Sequence, residues 1–267
     1  MLSAAAMLFA GCAAGNTAPS ATDSPAAALP TVDWDAADAA DVQDGGTLNL
    51  AVGALPVNYN NNHVDGNEVD TNLILSATQG SPFKTTTDGD VVLNEDYATS
   101  VELVSDDPQV VDVKLNPKAV WEDGTPITWK DWEGAWKALN GSNEAYQVAS
   151  TTGWDQISSI EQGADEYEFK ATFSTPYADW KAIFAGAPAI PPASVSADPE
   201  LFNTGFTAKA MPSSGPYVIS NIDATGQVVT LTPNPVWWGE KPKLDTILFK
   251  AVSQAQQGSS FANKEID

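Results

Sequence analysis

The sequence of 267 residues contains no arginine, one cysteine (Cys12) and one histidine (His63). Its 12 basic residues are therefore all lysines, and they face 35 acidic residues, which gives a formal net charge of −23. A surface this acidic repels phosphate backbones, so we expect no nucleic acid among the partners. Without arginine, these residues offer no bidentate guanidinium clamp for a carboxylate or a phosphate.

The residues needed for catalysis or for metal binding are also scarce. A single cysteine permits no internal disulfide, and the sequence has neither a set of nitrogen and sulfur ligands nor a dense carboxylate cage for a metal ion. A Ser-His-Asp triad could form only around His63, which lies in a stretch rich in asparagine and glycine without a nucleophile motif nearby. We therefore predict a protein that is not an enzyme and has no cofactor, with a hydrolase as a disfavoured alternative.

Long apolar runs are absent, and the one short run lies at the start of the chain. Residues 2–10 are apolar and lead into Phe-Ala-Gly-Cys at 9–12. About ten apolar residues are too few to span a bilayer, whereas such a run before a cleavage point is typical of a secretory signal. Residues 1–12 resemble the lipobox of bacterial lipoproteins, in which the cysteine, here Cys12, carries the lipid. The alternative is a buried apolar segment with an incidental cysteine.

Two features of this segment depart from the usual lipobox. Phe9 stands where leucine is common, and no lysine precedes the apolar run, so we expect further residues upstream of Met1. The stretch that follows, 13–45, is rich in Ala, Ser, Thr, Pro and Asp. It buries too little apolar surface to order itself, which predicts a disordered acidic linker before a folded part at 46–267.

Strand patterns dominate the folded part. Apolar residues alternate with period two in several segments, namely 47–52, 111–115, 167–173, 228–232 and 244–250. Turns are predicted at Asp88-Gly89, Asp123-Gly124 and Asn140-Gly141.

One helix has a clear start. Thr128 and Asp131 form a capping-box pattern, after which an apolar face is predicted to point to the core, formed by Trp129, Trp132, Trp136 and Leu139. A shorter helix is predicted over 178–185. Together with the strands, these helices indicate an α/β protein.

Three motifs occur in order along the folded part. The first is Trp-Glu-Asp-Gly-Thr-Pro-Ile-Thr at 121–128, followed by Asp131. The second is Gly-Pro-Tyr at 215–217, and the third is Asn-Pro-Val-Trp-Trp-Gly at 234–239, before Lys-Pro-Lys-Leu-Asp at 241–245. Together with the closing Glu-Ile-Asp at 265–267, they resemble the family 5 extracellular solute-binding proteins of bacteria, which bind dipeptides, oligopeptides or nickel.

The resemblance implies a periplasmic-binding-protein-like fold of type II, cluster C, with two lobes that close on a ligand. This chain would supply the first lobe, with 46–70 and 190–250 as a hinge-bearing domain and 71–189 as a smaller inserted domain. Residues 251–267 would begin the second lobe, most of which is missing from this sequence. A single wall forfeits roughly half of the ligand contact of a closed cleft, so we expect these residues alone to bind solute weakly or not at all.

The resemblance also implies a function. The protein would be a monomeric substrate-binding lipoprotein of an ABC transporter, which captures peptides or a related small solute for permease subunits. It would be exported and held by its lipid at the outer face of the cytoplasmic membrane, or in the periplasm. The alternative is a surface lipoprotein on the same scaffold with a regulatory or sensing role in the cell envelope.

Candidate ligand contacts follow from the family, in which the loop after the first strand faces the cleft. Here that loop spans 55–63 and supplies Asn58, Tyr59, Asn60, Asn61 and His63. Its amides can donate and accept hydrogen bonds along an extended peptide, although asparagine also favours turns without any function. Trp154 is a further candidate for the pocket, with a core role as the alternative. Tyr177 and Trp180 are weaker candidates.

Overall fold

The computed structural model describes residues 39–86, 88–185 and 189–267, so Cys12 and most of the predicted linker lie outside the described residues. Within these ranges the strands are β1 Thr47–Val52, β2 Phe83–Thr85, β3 Val91–Leu93, β4 Ala98–Asp106, β5 Gln109–Leu115, β6 Ile157–Gln162, β7 Glu168–Phe173, β8 Tyr217–Asp223, β9 Val228–Pro233 and β10 Thr246–Ala251. The α-helices are α1 Val69–Leu75, α2 Trp129–Leu139, α3 Ala193–Ser196, α4 Pro199–Thr204 and α5 Gln254–Ala262. Short 3₁₀ helices occupy Ala39–Asp41, Trp154–Gln156 and Trp180–Phe184.

The first sheet joins the two ends of the folded part. Its strand order is β1-β10-β9-β8. β1 runs parallel to β10 from the pair Thr47 and Thr246 to the pair Val52 and Ala251, and the other neighbours are antiparallel. A sheet of this kind has the form expected for a domain interrupted by an insertion, while the predicted boundaries at 46–70, 71–189 and 190–250 stay a prediction.

The second sheet is built entirely from the middle of the chain. It is antiparallel with the order β4-β5-β7-β6, and β2 and β3 form a separate hairpin. Alternate residues of β5 are buried, among them Val111, Val113 and Leu115. This is the period-two pattern that the sequence predicts.

Helix α2 begins where the capping-box pattern predicts. Asp131 Oδ2 accepts a hydrogen bond from the backbone N of Thr128 at 2.8 Å. Trp132 is buried and its ring stacks on Phe169 of β7 with centroids 5.5 Å apart, so α2 packs on the second sheet. The predicted apolar face is only partly correct, because Trp129 and Trp136 at its margins are half-buried.

The remaining predictions of secondary structure hold with small shifts. β1 coincides with the predicted strand, and β10 begins two residues after the predicted start at 244. The helix predicted over 178–185 is a 3₁₀ helix at Trp180–Phe184. In the part of the chain that the structure describes, no helix combines the length and apolar character that crossing a bilayer requires.

Candidate functional site

The loop after β1 is organised by three alternate asparagines. Asn58 Oδ1 accepts from the backbone N of Asn60 at 2.9 Å, and Asn60 Oδ1 accepts from the backbone N of Asn62 at 3.1 Å. This repeated side-chain-to-backbone bond at i+2 is the Asx-turn that asparagine favours. The Nδ2 groups of the three residues donate to carbonyls far along the chain, those of Asn203, Phe202 and Ala189 respectively.

The predicted ligand residues of this loop are therefore largely engaged within the protein. Asn58, Tyr59, Asn60, Asn61 and His63 are each at most 3% exposed. Their contact with solute stays a prediction. In this conformation, these residues would affect ligand binding through the shape of the loop, because their side chains are not exposed to a ligand.

Tyr59 and Asn61 have buried polar atoms without a hydrogen-bond partner among the described residues, the Tyr59 hydroxyl and Asn61 Oδ1. Burial raises the pKa of Tyr59 to about 12, so its hydroxyl is protonated at neutral pH. Asn61 Nδ2 donates to Asn72 Oδ1 at 3.0 Å and to Gln79 Oε1 at 3.2 Å. The amide of Asn61 thus reaches α1 and the segment that follows it.

His63 marks the point where this loop joins the middle of the chain. It forms an isolated antiparallel bridge with Val148, supported by bonds from Val64 N to Gln147 O and from Ala149 N to Asn62 O, both 2.9 Å long. His63 Nδ1 accepts from the backbone N of Asp65 at 3.1 Å. The loop after β1 and the segment 147–149 consequently form one hydrogen-bonded unit.

A cavity of about 180 Å³ opens beside this unit. It brings together Trp154, Tyr177 and the end of the asparagine loop, and its lining is Asn62, Asn67, Ala149, Ser150, Thr152, Trp154, Tyr177, Ala182, Ile183 and Ala185. Ligand pockets commonly have volumes of about 300–1,000 Å³. This cavity can therefore hold only part of a ligand.

The aromatic side of the cavity is rigidly built. Trp154 begins a 3₁₀ helix directly after Gly153, whose φ of 82° is costly for residues with a Cβ atom. The Trp154 ring stacks on Trp132 of α2, with centroids 6.4 Å apart and an interplanar angle of 29°. Trp154 packs against the core and also lines the cavity, and its contact with solute stays a prediction.

The opposite side carries amides. Asn72 Nδ2 donates to Asn67 Oδ1 at 3.3 Å, which connects the Asn61 amide to the cavity wall. Asn62 and Asn67 both line the cavity. The wall thus carries two side-chain amides, and none of its described lining residues is charged.

Trp180 is not among the residues that line this cavity. It lines two neighbouring grooves of about 580 and 340 Å³, called the outer grooves, together with Ala178 and Tyr177. The larger groove shares Tyr177, Ala182 and Ala185 with the cavity, and Lys181 Nζ lies 5.8 Å from the centroid of the Trp180 ring. The structure thus brings Trp154 and Tyr177 together and leaves Trp180 outside. The sequence does not single out four other residues of the lining, because such common loop and apolar residues carry no local signal of a site; they are Asn67, Ser150, Thr152 and Ile183.

Comparison with known proteins identifies a family and several relatives of this chain. Residues 93–267 match the family model of the bacterial extracellular solute-binding proteins, family 5 (middle region). The chain is 40% identical over 266 residues to the oligopeptide-binding protein OppA of Mycobacterium tuberculosis, an alignment that covers 98% of this chain and 45% of that protein. A second M. tuberculosis protein, whose name describes it as an uncharacterized lipoprotein, is 29% identical over 187 residues, with coverage of 58% of this chain and 33% of its own.

A solved structure agrees in fold. The periplasmic EDTA-binding protein EppA superposes with a TM-score of 0.77 and 32% identity, over 84% of this chain and 43% of EppA. The chain therefore spans less than half of the length of these relatives. The predicted α/β, periplasmic-binding-protein-like fold is confirmed. From the family match and the order of its motifs, this chain belongs to the family 5 bacterial extracellular solute-binding proteins.

Proposed function

We propose that this protein is a monomeric substrate-binding lipoprotein of an ABC importer and captures peptides outside the cell membrane without chemical conversion. The observation that carries the proposal is the cavity that Trp154 and Tyr177 share with the amides of Asn62 and Asn67. Each peptide residue carries one N–H donor and one C=O acceptor. Side-chain amides carry acceptor and donor atoms of the same two kinds, so they can pair with that backbone whatever the peptide side chains are.

The aromatic rings complement these amides. Trp154 and Tyr177 are half-buried, so a ligand that covers them removes further apolar surface from water. The 40% identity to a protein named for oligopeptide binding supports the same class of ligand. Permease subunits are the partners that this role requires.

A chelator such as EDTA is a second candidate, because EppA is named for binding EDTA. A polyanionic ligand needs cationic or multiple N–H donors to replace its hydration. Among the described residues, the cavity lining contains no lysine, and the whole sequence contains no arginine. An uncharged wall in a protein with a net charge of −23 favours a neutral peptide backbone over a polyanion.

Nuclear magnetic resonance with the ¹⁵N-labelled chain tests the proposal at the weak affinity expected of one wall. Trp154→Phe assigns the indole Nε1–H signal of Trp154. Titration with tetra-alanine should shift this signal, and we expect the fitted Kd to be weaker than about 1 mM. EDTA at equal concentration should leave this signal in place. Absence of any peptide-induced shift at Trp154 would refute peptide binding by this cavity in the 267 residues alone, and a shift with EDTA alone would favour the chelator.

Lipid anchoring through Cys12 belongs to the same proposal. The short apolar run before this single cysteine supports it, as does the lipoprotein named among the relatives. Cell fractionation of a bacterial host should place the protein in the membrane fraction, and Cys12→Ala should release it. Equal membrane recovery of both forms, or recovery of the unmodified protein from the cytosol, would contradict the anchor.

A further inference from the structure

Tyr177 is held in place by the side chain of a distant residue. The backbone N of Tyr177 donates to Gln109 Oε1 at 2.6 Å, and Gln109 Nε2 donates to the Tyr177 carbonyl at 3.1 Å. One amide thus pairs with both backbone polar groups of one residue across 68 positions of sequence, and the Tyr177 carbonyl accepts a second hydrogen bond from the backbone N of Trp180 at 3.3 Å. Gln109 is the first residue of β5 and is 6% exposed, so it has few alternative partners.

The ring of Tyr177 fills a tight space between the cavity and the outer grooves. It lines the 180 Å³ cavity as well as both outer grooves. Its inner neighbour is Gly153, where a Cβ atom would lie 3.1 Å from Tyr177 Cε1 and 3.0 Å from Ile183 Cγ1. Its outer neighbour is Phe173, whose ring stacks with centroids 6.4 Å apart. A small displacement of the Tyr177 backbone therefore changes the width of the cavity.

We propose that Gln109 is a positioning residue, which fixes Tyr177 and thereby sets the shape of the cavity without lining it. Of the cavity and the two outer grooves, Gln109 lines only the groove that also contains Asp106 and Pro176. The inference rests on the proposed function only in assigning the cavity to a solute. The bond between Gln109 and Tyr177, and its effect on the cavity wall, can be measured in the absence of any ligand.

The Gln109 side chain accepts from Tyr177 and donates to it at the same time. Alanine does neither. A glutamate accepts from the Tyr177 N–H, but it donates to the Tyr177 carbonyl only when its carboxyl is protonated. In Gln109→Glu, Tyr177 should therefore keep its native position at low pH, where the carboxyl is protonated, and leave it as pH rises. Burial and the nearby Asp106 carboxylate both raise the pKa of a carboxyl at position 109 above the usual value of about 4.3.

Fluorine NMR of the chain labelled with 3-fluorotyrosine provides the test, since the sequence has six tyrosines and Tyr177→Phe identifies the relevant signal. Gln109→Ala should shift or broaden the Tyr177 signal and leave the other five in place. Gln109→Glu should show a native-like Tyr177 signal at acidic pH and the alanine-like signal at neutral pH. The control is Gln162→Ala in β6, an exposed glutamine of the same sheet, which should change nothing.

The outcomes separate the two proposals. An unchanged Tyr177 signal in Gln109→Ala, or a Gln109→Glu signal that does not respond to pH, would overturn the positioning role. With the role established, titration with tetra-alanine should show an affinity for Gln109→Ala roughly three- to tenfold weaker than that of the unmodified chain. If the unmodified chain does not bind tetra-alanine while the pH response of Gln109→Glu is present, peptide capture fails and the positioning role stands.

Discussion

The indole Nε1 of Trp121 donates a hydrogen bond to Asp131 Oδ1 at 3.2 Å, which joins the two ends of the first family motif. The same carboxylate accepts from the backbone N atoms of Thr128 and Ala193, both at 2.8 Å. Burial raises the pKa of Asp131, and these donors oppose that effect. Asp131 thus fastens the motif turn and the beginnings of α2 and α3 to one another.

Replacing Asp131 should destabilise the fold. In Asp131→Asn, the Nδ2 group would face backbone or indole donors, so buried N–H groups lose their acceptor. We expect a loss of about 2–4 kcal/mol in the free energy of unfolding, measured by urea denaturation. Asp88→Asn, at an exposed turn position, is the control and should stay within about 0.5 kcal/mol of the unmodified chain. Equal effects of the two substitutions would contradict the role of Asp131.

Tyr59→Phe should not destabilise the protein at neutral pH. Its hydroxyl is buried without a partner among the described residues, and removal of such a group is neutral or stabilising by about 1 kcal/mol. Because burial raises the pKa of Tyr59 from 10.0 to about 12, the unfolded chain loses this proton first as pH rises. The unmodified chain therefore loses folding stability as pH rises from about 10 to about 12, whereas Tyr59→Phe does not lose this contribution.

Urea denaturation at neutral pH and near pH 11 measures this difference. The matched control is Tyr97→Phe, since the Tyr97 hydroxyl donates to the Ser214 carbonyl at 2.6 Å. That substitution should cost about 1–2 kcal/mol already at neutral pH. A Tyr59→Phe protein as destabilised as Tyr97→Phe would show that the Tyr59 hydroxyl has a stabilising partner.

Trp154→Ala should abolish most of the binding that the cavity provides. Loss of a ring that contacts the ligand typically lowers the affinity at least about tenfold. The affinity is measured from the 3-fluorotyrosine signal of Tyr177 during titration with tetra-alanine. Trp180→Ala removes a tryptophan of the outer grooves and should leave the affinity unchanged. A larger loss with Trp180→Ala would move the ligand to the outer side.

Gly153→Ala should disturb the cavity more than an equivalent change elsewhere. Gly153 and Gly124 have similar backbone angles, with φ of 82° and 84°, but only the Cβ at position 153 would meet neighbouring side chains. We expect Gly124→Ala to cost about 1 kcal/mol from backbone strain alone. Gly153→Ala should cost about 1–3 kcal/mol more from overpacking and shift the Tyr177 signal. Similar stability losses, with Tyr177 unmoved, would show that the cavity wall yields freely.

Much of the fold could be predicted because its signals are local. Period-two alternation marks β1, β5, β7 and β9, and Thr128 with Asp131 marks the start of α2. The order of the motifs indicates the family, which the comparisons confirm. The helix predicted over 178–185 is instead a 3₁₀ helix over a shorter range, since apolar spacing in so short a segment does not distinguish the two helix types.

The site depended on contacts that no local pattern contains. The sequence by itself determined that the loop after β1 would be rich in amides and in Asx-turns, because those bonds span two residues. Only the tertiary structure decided that Asn58 and Asn60 turn inward while Asn62 reaches the cavity. The partners of these side chains lie 145, 142 and 127 positions away, and their approach is fixed by the packing of the whole domain.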